Sequence, residues 1–257
     1  MSSAEPAIPL VSGDVDPADL VSAFERGFPL EFCASESFDP DFVAALVREG
    51  FIPMATALDE GCELLLPKLH LVRSCLDPRL VHVTATARRA SRGLVLTARR
   101  AFDEVLSACL ATHGDGWLRP PLVELFRKLG ARNIEHGFGL LSFELWRGER
   151  LVAGEFGALV GSCYTSWSGF RSEDGAGTAQ LVATARALDR AGVRLWDLGM
   201  PLDYKAGLGA ISLSRLEFLS RFREARSFSG TVDLAFLPED ARLLLDASFG
   251  AAEDFDP

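Results

Sequence analysis

The chain is poor in the residues that build metal centres and covalent frameworks. It has only four histidines, and none stands at ligand spacing from a cysteine or carboxylate partner, so no metal site is expected. Its five cysteines, Cys33, Cys62, Cys75, Cys109 and Cys163, are odd in number, scattered and without a C-x-x-C pair. That excludes a disulfide scaffold and points to buried free thiols. No stretch approaches the roughly 18 apolar residues that would span a bilayer, and the start MSSAEPAIPL lacks a basic leader, so a soluble cytoplasmic protein is expected. No Cys-His or Ser-His-Asp arrangement can be picked out. Internal repeats and low-complexity segments are also lacking.

What is present suits a globular fold. With 257 residues, 48% hydrophobic and 24% charged, the chain can bury one large core, or a large one and a small one. The net charge of −10 is unevenly spread: residues 1–60 hold twelve acids against Arg26 and Arg48. Residues 61–232 hold 17 acids and 23 bases, and the remainder is acidic again. Within this basic body Thr84 to Phe102 carries Arg88, Arg89, Arg92, Arg99 and Arg100 and no acid. Such a patch is either a solvated face or a surface for the phosphates of an RNA backbone.

Periodicity divides the chain into an acidic N-terminal α+β domain (1–78), a main domain (79–230) and an acidic C-terminal tail (231–257). Apolar residues at 102, 105, 106, 109 and 110 fall at helical spacing, and PPLVELFRKLGA starts on proline and closes near glycine like a second helix. From 138 the pattern becomes extended: LLSFELW and RLVAGEFGALVG flank Arg147-Gly148-Glu149-Arg150 as a hairpin, and SCYTSWSGF continues it. TAQLVATARALDRAG (178–192) reads as a helix closed by Gly192, VRLWDLGM as a strand ending near Asp197, and LSRLEFLSRFREAR as a final helix. Three strands, a helix, a strand and a helix suit an α/β (α+β) fold of the GNAT-like acyltransferase kind behind the small N-terminal domain.

Five short motifs occur in one order over residues 80–226. Gly116-Trp117-Leu118, Ser142-Phe143-Glu144-Leu145-Trp146, Leu151-Val152-Ala153-Gly154-Glu155-Phe156-Gly157, Trp196-Asp197-Leu198-Gly199, and Gly207-Leu208-Gly209-Ala210 with Arg215 resemble those of the leucyl/phenylalanyl-tRNA-protein transferases. The resemblance implies a GNAT-like catalytic domain, charged tRNA as co-substrate and an acceptor protein or peptide N-terminus as partner. It also implies a link to N-degron protein degradation, no other cofactor, and neither DNA nor membrane. It implies Asp197 as the catalytic carboxylate, and Trp117, Glu155, Tyr164, Trp167, Phe170, Trp196 and Gly199 about the aminoacyl and adenosine pocket. Arg88, Arg89, Arg92, Arg99 and Arg100 would face the tRNA. Aminolysis of an ester needs positioning and proton transfer rather than a nucleophile.

The departures from the family pattern concern the pocket. Gly199 stands where the family has a glutamine, Leu141 where it has a histidine, and Ser166-Trp167-Ser168-Gly169-Phe170-Arg171 where it has G-E-S-M-F-S. Glu155 occupies a position the family fills with an apolar residue. Glu155 either lines the pocket, where it suits a cationic group, or points away, since neighbours on a strand face opposite sides. Two other functions stay open: an acyl-CoA-dependent GNAT N-acyltransferase, and a non-catalytic paralogue that binds RNA or protein. Against the first, no R/Q-x-x-G-x-G/A loop precedes the 178 helix, and the nearest stretch, Ser172 to Gly177, carries two acids.

Overall fold

The computed structural model describes residues 8–59, 61–228 and 230–246. Two short helices come first, Pro17–Glu25 (α1) and Pro40–Arg48 (α2), each with proline in its first turn and an aspartate, Asp16 or Asp39, capping its N–H groups. Ile52–Asp59 (β1) and Cys62–Lys68 (β2) form an antiparallel pair. The chain then runs through Val72–Leu76 (β3), Ala85–Ala90 (α3), Val95–Ala98 (β4), Phe102–His113 (α4) and Pro120–Gly130 (α5). Next come Phe138–Arg147 (β5), Arg150–Val160 (β6), Cys163–Arg171 (β7) and Ala176–Arg190 (α6). Leu195–Asp197 (β8), Asp203–Gly207 (α7), Ile211–Ser214 (β9), Arg215–Arg226 (α8), Glu239–Asp240 (β10) and Ala241–Asp246 (α9) follow.

Among the described residues, eight strands make one sheet in the order β10-β4-β5-β6-β7-β8-β3-β9. All neighbours are antiparallel except β7 and β8, which are joined through α6 and run parallel. The strand–strand–strand–helix–strand order expected for a GNAT-like domain is therefore present, and the hairpin turns at Gly148 with Arg147 opposite Arg150. Alternation along the strands sorts side chains to two cores. Leu140, Phe156, Cys163 and Leu195 face α1, α2, α4, α5 and α8, while Leu141, Leu159, Tyr164 and Trp196 face α3, α6 and α9.

Contacts cross the boundary expected at residue 78. β3 lies within the large sheet, and α1 and α2 share a core with α4, α5 and α8. Arg215 ties the regions further: its guanidinium donates to the carbonyls of Phe28 (2.9 Å), Leu30 (2.7 Å) and Leu69 (2.9 Å). At the other end β10 pairs with β4 and α9 packs beside α6, so residues 239–246 belong to the fold. Residues 247–257 of the expected acidic tail lie outside the described residues. The strand read in VRLWDLGM is only three residues long, and the helix read as final is followed by β10 and α9.

The Ser-x-Glu-x-Trp run of β5 serves the sheet. Buried Glu144 accepts from Ser142 Oγ (2.5 Å) and Thr97 Oγ1 (2.5 Å), and Trp146 Nε1 donates to Thr97 Oγ1 (2.9 Å), fastening β4 to β5. On the far side, Arg73 of β3 and Asp197 of β8 form an ion pair with both side chains fully buried. Arg73 also donates to Gly50 O (2.9 Å) and stacks on Phe218. Removing one partner from such a pair strands the other charge, at a cost of about 3–5 kcal/mol, whereas replacing both by apolar residues costs much less. Arg73→Met alone is expected to lower the urea-unfolding free energy by about that amount, and Arg73→Met with Asp197→Leu to recover at least half of the loss. Additive losses in the double variant would show that the pair is not the source.

Candidate functional site

β7 and β8 are hydrogen-bonded only over Cys163, Tyr164 and Thr165, opposite Leu195, Trp196 and Asp197. β8 then ends, and β7 continues to Arg171 without a strand on that side. A bulge marks the parting: Phe156 faces Ser168 and Gly157 faces Ser166, so Trp167 is the unpaired residue. Gly157 is required there, because a Cβ would lie 1.9 Å from Thr165 O. The open edge of β7 forms one wall of a cavity of about 630 Å³.

The other walls come from the end of α4 (Thr112, His113), the start of α6 (Gly177, Thr178, Gln180, Leu181), and Leu198, Tyr204 and Lys205 beyond β8. Arg171, His113 and Tyr204 are exposed and mark the rim; Glu155, Gln180, Leu198 and Lys205 are buried and form the floor. His113 Nε2 stands 2.7 Å from Gly169 O, closing the rim on the α4 side. The two acids before α6 are matched by arginines: Glu173 pairs with Arg147 and Arg150, and Asp174 with Arg171. The negative charge that Ser172 to Gly177 shows in sequence is thus offset in the fold.

Glu155 is the most telling floor residue. It is 3% exposed, and Oε2 accepts from Ser166 Oγ (2.9 Å), while Oε1 is buried without a hydrogen-bond partner. Burial pushes its carboxyl from the ordinary 4.5 up to about 7, against the pull of Ser166, the Gln180 amide and the Lys205 charge. Lys205 is 7% exposed, and Nζ donates to Leu198 O (2.5 Å) and Met200 O (2.8 Å). Burial lowers its pKa, while the charges of Asp197 and Glu155 act the other way. Glu155 thus lines the cavity.

The structure sorts the other expected pocket residues into two groups. Trp167 and Phe170 line the cavity with Glu155. Trp196 lies behind it, fully buried, its Nε1 donating to Ser166 Oγ at 2.8 Å. Tyr164 is fully buried edge-on to Phe143, and Trp117 packs on the α4–α5 core with its carbonyl accepting from Ala55 N (2.9 Å); neither lines the cavity. Gly199, at φ +74°, forms the turn beneath the floor. Strand alternation sends Tyr164 to the α6-side core, and the α4–α5 turn leaves half-buried Trp117 beside β1, packed against the other core.

Asp197 is fully buried and both its oxygens are engaged. Oδ2 meets Arg73 Nη1 and Oδ1 accepts the Gly199 N–H (2.8 Å). It is not among the residues lining the cavity; it holds the turn that presents Leu198 and, through two carbonyls, Lys205. Of the arginines, Arg89 and Arg92 are exposed, Arg88 pairs with Asp246, Arg100 stacks on Trp146 and reaches Glu149, and Arg99 donates to Arg132 O (2.7 Å). Sequence reasoning missed Lys205, Tyr204, Gln180, Ser166 and Arg73. The signal for the two cations was a lone basic residue inside an apolar or glycine-rich run, HLVRSCL and YKAGLGA.

The thiols offer no nucleophile at the cavity: burial raises Cys109 to about 12, Cys33 to about 11, and Cys75 and Cys163 well above the ordinary value, while exposed Cys62 lies on β2.

Comparison with known proteins places the chain in context. Residues 75–223 match the family model described as Leucyl/phenylalanyl-tRNA protein transferase. Relatives named leucyl/phenylalanyl-tRNA–protein transferase include one from Anaeromyxobacter sp. (strain Fw109-5), 32% identical over 60% of this chain and 66% of that protein. One from Hahella chejuensis is 31% identical over 56% of this chain and 64% of that protein, so the chain spans just under two thirds of the length of these curated relatives. Another, from Pseudomonas aeruginosa PAO1, is 32% identical over 64% of this chain and 73% of that protein. A solved GCN5-related N-acetyltransferase from Kribbella flavida is only loosely similar, with 16% identity, a TM-score of 0.38, and coverage of 79% of this chain and 74% of that one.

Glu155 makes stability depend on pH in a defined direction. Its folded-state pKa is raised, so between about 4.5 and about 7 the folded chain holds a proton that the unfolded chain releases. That contribution is fully present below about 4.5 and is lost as the pH rises through about 7. Ser166, Gln180, Tyr204 and Lys205 face the carboxyl, and its charge also bears on buried Tyr164 and Cys109. Glu155→Gln keeps the shape and the Ser166 contact. The variant is expected to match the parent near pH 4.5 and to exceed it by roughly 3 kcal/mol near pH 8 in urea unfolding. An equal difference at both pH values would contradict the buried, raised carboxyl.

Proposed function

Because the chain belongs to the leucyl/phenylalanyl-tRNA protein transferase family, we propose that it moves an aminoacyl group from the 3′ end of a charged tRNA to the α-amine of an acceptor protein. The observation that carries the reading is the family match over residues 75–223, which includes both walls where β7 and β8 part and the whole floor of the cavity. In the reaction the amine nitrogen bonds to the ester carbonyl carbon and the carbon–oxygen bond to the ribose breaks. The amine gives up a proton and the departing ribose oxygen gains one. The ester is already activated, so the cavity's task is to hold ester and amine together and to accept the proton.

Within this reading Glu155 lines the floor of the aminoacyl pocket, and Asp197 acts by positioning. Trp167 and Phe170 supply flat apolar surface along the β7 edge, suited to an aminoacyl chain or a base. Arg89 and Arg92, on the exposed side of α3 and the turn after it, supply positive charge for the tRNA backbone. Marking acceptors for N-degron degradation in the cytoplasm is the accompanying biological role. No helix among the described residues is long and apolar enough to cross a membrane.

A second reading, acyl-CoA-dependent N-acylation, draws on one observation. α6 opens on Gly175-Ala176-Gly177 beside the cavity without a side-chain cap, and the acids before it are paired to arginines. The two readings separate on donor use. Purified protein incubated with labelled aminoacyl-tRNAs and an acceptor protein is expected to label the acceptor's N-terminus, and acetyl-CoA is expected to give no product. Acetylation without any tRNA-dependent transfer would favour the second reading and overturn the first. Arg89→Glu with Arg92→Glu is expected to weaken tRNA binding about 10-fold or more and to flatten the salt dependence of log K by about 2. An unchanged slope would remove these residues from the RNA surface.

A further inference from the structure

The floor of the cavity combines a buried acid with an absence of side chain beside it. Glu155 Oε1 has no hydrogen-bond partner, although Oε2 is held by Ser166, so the carboxylate is fixed in direction with one oxygen left over. Its neighbour across the strand pair is Gly169, and a Cβ added there would stand 3.2 Å from Glu155 Cβ. No side chain at position 169 therefore covers the acid from that side. The same lining includes Phe170, Tyr204 of α7, and Trp167, whose ring also packs on Phe126 and Phe156. A buried carboxylate lacking a partner is costly, and an ammonium or guanidinium is the partner that relieves that cost.

The cation on hand does not fill that role. Lys205 Nζ is committed to the carbonyls of Leu198 and Met200, and the remaining charged residue of the lining, Arg171, is exposed at the rim. The depth of the acid also selects which part of a ligand reaches it. A tRNA-borne ester is attached to a bulky nucleotide that must stay at the mouth. The α-ammonium of the donor is only two bonds from the reacting carbonyl. A group that meets Oε1 on the buried floor is therefore the end of a side chain several bonds longer.

We propose that this cavity takes a basic aminoacyl donor, lysyl or arginyl, whose terminal cation pairs with Glu155, in place of an apolar side chain. The inference rests on the transferase reading for its substrate, and it makes Glu155 the specificity-determining residue of that reaction.

Two measurements test it separately from the function. In the first, binding of L-lysinamide and L-norleucinamide to the purified protein is measured by calorimetry; both carry an α-ammonium, and they differ in the side-chain cation. Lysinamide is expected to bind at least about 10-fold tighter, and Glu155→Gln and Glu155→Leu to shrink that ratio to about 3-fold or less. Equal affinities in the parent, or a preference that survives both substitutions, would overturn the inference whatever the protein catalyses. In the second, the transfer assay is run with each aminoacyl-tRNA in turn. Lysyl- or arginyl-tRNA as preferred donor, lost in Glu155→Leu, supports the inference. Preferred transfer from leucyl-, phenylalanyl- or methionyl-tRNA overturns it while leaving the transferase reading standing. Transfer from none overturns the transferase reading, and the binding ratio then decides the role of the floor by itself.

Discussion

The ion pair between Arg73 and Asp197 is the constraint on which the site depends. It joins two strands from distant parts of the sequence, with both side chains fully buried. Around it the backbone is doubly fastened: Leu198 N donates to Ser74 O (2.8 Å) and Ser74 N donates to Gly199 O (2.7 Å). The turn held in this way ends β8 after Asp197, and the same turn presents the carbonyls that anchor Lys205. Buried ion pairs contribute little to net stability compared with apolar replacements. This one accompanies the register in which Cys75 stands opposite Asp197 and Leu76 opposite Trp196.

The ending of β8 creates the cavity. β7 runs on for six residues past its last bond to β8, and a two-against-one bulge at Trp167 turns its side chains about the open edge. Aromatic surface, a buried acid and a buried lysine then converge on one space, in a chain whose buried thiols are held protonated. That combination suits aminolysis of an ester brought in already activated, where orientation and proton acceptance are the protein's share.

Much of the scaffold was legible because it rests on periodicity. The 178–190 segment alternates small and apolar residues at helical spacing and folds as α6, and the Arg147–Arg150 hairpin follows from a glycine between two extended runs. The two-sided sorting of Leu140 and Leu141, or Cys163 and Tyr164, is the ordinary alternation of a strand covered on both faces. Glu155, Trp167 and Phe170 were named from the motif positions of the family resemblance, and the fold places all three on the cavity. Lys205 and Arg73 were not, since a single cation in an apolar run gives no sign of whether it is buried against carbonyls or turned to solvent. Tyr164 and Trp117 were drawn toward the pocket by motif position, while packing assigns them to the cores. The parting of β7 from β8 has no local signature, because it is a property of two strands that pair over three residues only.

The central claim is that the aminoacyl group of the donor sits in the cavity between β7, α6 and α7. A crystal structure of the protein with a 3′-aminoacylamino-adenosine, the amide-linked and therefore unreactive analogue of the charged tRNA end, tests it most directly. The account predicts the aminoacyl side chain against Trp167 with its end toward Glu155, and the adenosine at the rim near Arg171. An analogue bound elsewhere, with the cavity between β7 and α6 unfilled, would contradict it.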